Sequence, residues 1–184
     1  MELLNSNTKQ IIILFIKTLS IYAILSVFFY CYVGLVDPVG NYYSPFLAKF
    51  NLIQGVLNGL IYPIVWILKL LGYEVVNYQN NVSIAHERGI LIYHACLGID
   101  IMIGYTSLIL GYPGRRKLVF LIIGIISIHI LNILRMLMIL LMIKKNPNIA
   151  ELSHDIFNFL GYACILLLYF AWTSRFSKTV NLNQ

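Results

Sequence analysis

Six polar or reactive side chains stand inside otherwise apolar runs in the second half of the chain: Cys96, Asp100, His129, Asn132, Arg135 and His154. Three of them could do covalent chemistry together. A cysteine thiolate is a nucleophile, and a cation beside a thiol raises the thiolate fraction. Histidine can take the thiol proton and later return it to a leaving amine. Arginine stays charged, so it can stabilise an oxyanion or hold a substrate carboxylate. Each residue also has a plain structural reading. Cys96 could be a small buried hydrophobe. Arg135 could pair with Asp100, which follows Cys96 by four residues and so shares its face of one helix. His154 could be an interfacial helix-start residue. His129 lies roughly 120° around its helix from Arg135 and reads as structural. A haem shared by His129 and His154 would need rings at depths several turns apart.

The elements that carry these residues belong in a membrane. Of 184 residues, 60% are hydrophobic and 11% charged, against roughly 25% charged in soluble domains. That composition excludes a soluble enzyme, a disordered chain and a disulfide-stapled secreted domain. The net charge of +6 comes from 13 Lys and Arg spread among apolar runs. It forms no basic stripe, so no nucleic-acid partner is expected. Cys31, Cys96 and Cys164 have neither CxxC nor metal-knuckle spacing. The first apolar run lacks a small-x-small cleavage site after it, so no cleavable signal is evident.

A span needs roughly 20 apolar residues. Runs at about 10–33, 90–111, 118–143 and 154–173 qualify. The stretch 45–72 is punctuated by Lys49, Asn51, Gln54, Gly55, Asn58, Gly59 and Pro63, and residues 73–86 read as a hairpin or irregular loop outside the hydrocarbon. Arg115-Arg116-Lys117 in a tight turn, with Arg175 and Lys178 after the last run, put those ends in the cytoplasm; Lys144-Lys145 count against this. Lys9 and Lys17 suggest an inner N-terminus. Parity then makes 45–72 an interfacial or re-entrant helix on the outer face. The expectation is one all-α integral membrane domain over 1–184, with about four full spans. It puts Cys96 about two turns into a helix, Arg135 about two turns before the outer end of the next, and His154 at the start of the last.

The segments His94-Ala95-Cys96-Leu97-Gly98, Asn132-Ile133-Leu134-Arg135 and Ser153-His154-Asp155 resemble, in order and spacing, the core of the exosortase/archaeosortase family over about residues 70–173. That pattern is a Cys followed two residues later by Gly, then Asn-x-x-Arg, then a His opening a helix. His94 and Leu97 depart from it: many members have Glu or a similar residue two before the Cys, and Ser or Asn just after it. The resemblance implies a compact bacterial membrane cysteine transpeptidase. Its substrates would be membrane-tethered proteins with a C-terminal sorting tail of short motif, apolar span and basic cluster. The resemblance also gives Cys96 the nucleophile role, Arg135 the electrophilic or substrate-orienting role and His154 the acid/base role, with Asp100 and Asn132 in support. The site would face outward from the cytoplasmic membrane, with no metal or organic cofactor. Two alternatives stand beside this reading: a non-catalytic assembly factor for a polysaccharide or protein export system, and a small transporter using Asp100 and Arg135.

Overall fold

The computed structural model describes residues 2–37, 42–85, 87–145 and 149–176; side chains are described for 8–37, 42–85, 87–143, 156 and 159–174. Its helices are α1 (Glu2–Val36), the short α2 (Pro45–Ala48), α3 (Leu52–Leu70), α4 (Ile99–Gly111), α5 (Lys117–Lys145) and α6 (Ile149–Phe176). Between α3 and α4 lie strands β1 (Val75–Tyr78), β2 (Asn81–Ile84) and β3 (Ile90–Leu91), then a 3-10 turn over His94–Leu97.

Apolar composition drives helix formation here, because a segment in lipid must satisfy its backbone internally. Thr8–Val36 and Lys117–Ile143 are long and apolar enough to cross a bilayer. Large side chains such as Phe15, Phe28, Leu118, Phe159, Leu167 and Phe170 are mostly exposed on the outside of the bundle. Apolar surface on that scale needs lipid as its solvent.

Pro45–Leu70 also meets the length and composition of a span. The polar residues that punctuate it are engaged rather than disruptive. Asn51 caps α3 by accepting from the Gln54 amide nitrogen (2.9 Å). The Gln54 side chain donates to Asn58 Oδ1 one turn on (3.1 Å) and to Asn80 Oδ1 at the β1–β2 turn (2.8 Å). The adjoining face, Leu57, Leu60, Ile61, Ile64 and Leu68, is buried.

The expected hairpin forms, with β1 and β2 antiparallel and β3 added on the far edge of β2. The expected span over 90–111 does not form as one helix. Residues 90–97 are strand and 3-10 turn, and α4 has only 13 residues, about 20 Å. Gly98 is the reason. It adopts φ +65°, a left-handed conformation that breaks the helix and that glycine reaches without a Cβ clash.

Two cores hold the molecule together. One is largely aliphatic and joins α3, β2, Ile92 and Leu97 to Met136, Leu137, Ile139 and Leu140 of α5. The other joins Tyr105 and Ile109 of α4, Ile128 of α5, and Ile165 and Trp172 of α6. Gly124 of α5 lies where a Cβ would strike the Tyr105 ring, so its lack of a side chain lets α4 and α5 approach closely. Tyr105 then donates to the Phe120 carbonyl (2.7 Å) and Trp172 Nε1 to the Arg115 carbonyl (2.9 Å).

Candidate functional site

Cys96 sits in the 3-10 turn before α4, not two turns inside a helix. Its amide nitrogen donates to the Tyr93 carbonyl (2.8 Å), which closes the turn. Its side chain is half-buried at the edge of the aliphatic core, and the thiol is free.

A short non-helical segment at membrane depth leaves carbonyl groups that a neighbour must satisfy. Here α5 does so. Arg135 donates from its guanidinium to the Cys96 carbonyl (2.8 Å), and Asn132 donates from Nδ2 to the Leu97 carbonyl (2.6 Å). The two residues are three apart, so they project from one face of α5, and each is only 5% exposed. Gly98 completes the arrangement, because a Cβ there would lie 2.8 Å from Asn132 Nδ2. Cys-x-Gly and Asn-x-x-Arg are thus two halves of one contact. The glycine makes room for the asparagine, and the asparagine and arginine hold successive carbonyls of the cysteine turn.

The expected Asp100–Arg135 pair is not made. Four-residue spacing puts Asp100 and Cys96 on one helical face only if the helix runs through Gly98, and it does not. Asp100 is exposed in the first turn of α4 and accepts from the Tyr30 hydroxyl of α1 (2.8 Å). Tyr30 was not singled out from the sequence, since a tyrosine among the apolar residues of α1 carries no spacing signal. Gly98 did carry one, as a glycine interrupting an apolar run beside the cysteine. His129 Nε2 lies 3.3 Å from the Gly59 carbonyl, joining α5 to α3, which accords with a structural role.

His154 does not open α6, which begins at Ile149 and places it in the second turn. Its side chain lies outside the described residues, as do those of Ser153 and Asp155. The backbone levels can still be compared. Trp172 of α6 is bonded to the Arg115 carbonyl beside the start of α5. His154 is 18 residues back from Trp172 along α6, and Arg135 is 18 residues past Lys117, the first residue of α5. Both are about 27 Å of helix from that end. The structure therefore brings Cys96, Asn132 and Arg135 together and takes Asp100 away to α1. Cys31 is exposed on α1 and Cys164 half-buried on α6, both free thiols.

No curated protein and no solved structure matches the chain. A family model described as transmembrane exosortase matches residues 23–171, which takes in the 3-10 turn, α4, α5 and most of α6. With its cysteine turn clamped by the Asn-x-x-Arg face of α5, the chain belongs to the transmembrane exosortase family.

Proposed function

We propose that this protein is a cysteine transpeptidase that processes C-terminal sorting tails of exported proteins at the outer face of a bacterial cytoplasmic membrane. The observation that carries the reading is the hydrogen bond from the Arg135 guanidinium to the Cys96 carbonyl. It holds a permanent charge against the turn that bears the thiol, where a developing oxyanion would need it.

In this mechanism the Cys96 thiolate attacks a substrate peptide carbonyl, forming the C–S bond of a tetrahedral intermediate. Arg135 offsets the oxyanion charge. Collapse breaks the C–N bond, and His154 gives the departing amine its proton, leaving a thioester. An acceptor amine or water then attacks the thioester carbonyl, His154 takes the proton from that nucleophile, and the thiolate departs. The substrate's own apolar span would bring the scissile carbonyl to the level of the turn.

The test is processing of tail-bearing membrane proteins. Cys96→Ala is expected to leave the protein inserted while full-length substrate accumulates. Cys96→Ser should be nearly as inactive, because a hydroxyl is the weaker nucleophile. His154→Ala should also stop processing, and a hydroxylamine-sensitive substrate adduct should be trappable only with Cys96 present. In the same cells a cysteine tag at Tyr78 should label from outside and one at Arg115 should not. Normal processing in the Cys96→Ala strain would replace the enzyme reading with the assembly-factor one; outside labelling at Arg115 would invert the site.

A further inference from the structure

A second polar concavity opens beside the cysteine turn. It is a cleft of about 270 Å³ between the end of α1, the start of α3, the β1–β2 turn and the 3-10 turn. Its apolar wall comes from Val33, Val36, Ile53 and Leu57, and its polar wall from Gln54, Asn80 and His94, with the Asp37 carboxylate, Asn51 and Tyr93 also lining it. His94 belongs to both places, since it lines the cleft and opens the turn that carries Cys96. Nothing in the mechanism above uses these groups.

The chemistry of the polar wall is specific. Gln54 and Asn80 form a reciprocal amide pair, with Gln54 Nε2 donating to Asn80 Oδ1 (2.8 Å) and Asn80 Nδ2 to Gln54 Oε1 (3.2 Å). A primary amide has two N–H donors and an oxygen with two lone pairs. Pairing this way leaves Asn80 a second N–H and each oxygen further accepting capacity. One donor and one acceptor side by side match what an extended peptide group offers. The backbone behind the pair is fixed, because the Asn80 carbonyl accepts from the Ile92 amide (2.8 Å), tying the β1–β2 turn to the strand that leads into the cysteine turn. The volume lies below the roughly 300–1,000 Å³ typical of small-molecule pockets. That size suits a residue or two of chain better than a cofactor.

We infer that this cleft is the recognition subsite for the short motif of the substrate tail, binding it as an extended polar peptide through the Gln54–Asn80 amide pair and His94. The inference rests on the transpeptidase reading. A peptide held against Asn80 and His94 is delivered to Cys96 two residues further along the same turn, so recognition and attack share one rigid segment.

The test uses a reporter library: an exported soluble domain followed by four randomised residues, a fixed apolar span and a basic cluster. The wild type is expected to process a subset with a definite preference at one or two randomised positions, enriched in polar over apolar and acidic residues. Asn80→Leu and Gln54→Leu should raise KM about tenfold for the preferred motif, with kcat nearly unchanged, and should relax the preference. Val33→Phe fills the cleft from α1 without touching the amide pair, and should do the same even if the amide variants fold poorly. A benzophenone side chain at Asn80 in the Cys96→Ala background should crosslink the uncleaved reporter through its randomised segment. Unchanged preference and KM in a well-inserted Val33→Phe protein would overturn the subsite and leave the transpeptidase standing. Failure of wild type to process any library member, or equal processing by Cys96→Ala, would overturn the transpeptidase reading itself and the subsite with it.

Discussion

The two ends of the α4–α5 pair solve the same problem with different side chains. At each end a non-helical turn meets the bundle, and its carbonyls must find donors. At the Arg115 end the donors are aromatic: Trp172 to the Arg115 carbonyl of the turn, with Tyr105 bonded to the Phe120 carbonyl in the first turn of α5, both fully buried. Such side chains satisfy one polar group while adding a large apolar body to the core. At the Cys96 end the donors are Asn132 and Arg135, which add little apolar area and bring a charge that is costly to bury. An aromatic clamp would have sufficed to hold a turn. The expensive kind stands beside the half-buried cysteine of the 3-10 turn; under the proposed function this separates an end that serves chemistry from an end that serves stability.

The comparison can be broken at either end. The largest effect is expected from Arg135→Ala, which removes the charge and releases the Cys96 carbonyl. Processing should fall by about 10²–10³-fold or more, as when an oxyanion donor is lost. Arg135→Lys should recover little, since an ammonium does not reproduce the guanidinium fork. A variant that inserts normally and retains more than a tenth of wild-type processing would make Arg135 a structural clamp only.

Asn132→Leu comes next. It keeps the bulk and strands the Leu97 carbonyl, at a cost of about 1–3 kcal/mol. If the strain falls on the turn, processing drops about 5- to 100-fold while the protein remains in the membrane. An equal loss of protein level and activity, measured by quantitative blotting against turnover, would mean that Asn132 supports the fold and not the site.

At the other end, Trp172→Phe should do the reverse. Losing the bond to the Arg115 carbonyl should lower the midpoint of thermal aggregation in detergent, at about 1 kcal/mol, with turnover per folded molecule unchanged. A selective loss of turnover would show that the two ends are coupled.

The smallest effect is expected from Asp100→Asn. An exposed residue that accepts from Tyr30 can do so equally well as an amide, so processing should stay within about twofold. A loss as severe as that of Arg135→Ala would reinstate an electrostatic link between the two residues.

Much of this was legible in the residues themselves. The apolar runs at 10–33, 118–143 and 154–173 became α1, α5 and α6, because in lipid a long apolar segment has no alternative to helix. The turn-rich stretch after Tyr73 became a hairpin. The run at 90–111 misled, since a short apolar segment fits a buried strand as well as a helix. Only the conformation at Gly98 decides where α4 starts. The Asp100–Arg135 pairing failed for the same reason, as its spacing presupposed an unbroken helix. The polar residues of 45–72 looked like interruptions because their partner, Asn80, is 26 residues beyond Gln54. The candidate cysteine, arginine and asparagine were legible as residue types; that the last two grip backbone carbonyls was not, because a carbonyl acceptor leaves no mark in sequence.

The shortness of α4 is hidden from the surrounding lipid. Its 13 residues cover about 20 Å, whereas the hydrocarbon of a typical bilayer is about 30 Å thick. The long helices α1 and α5 carry no such deficit. A bilayer meets a short lipid-facing element by thinning around it, at a fraction of a kcal/mol per Å of mismatch. α4 instead packs against α1, α5 and α6 and exposes little beyond Asp100 and Leu110, so the lipid is spared that adjustment and meets the longer helices in its place. Reconstitution into phosphatidylcholines of increasing chain length should therefore change the behaviour of the protein little on account of α4.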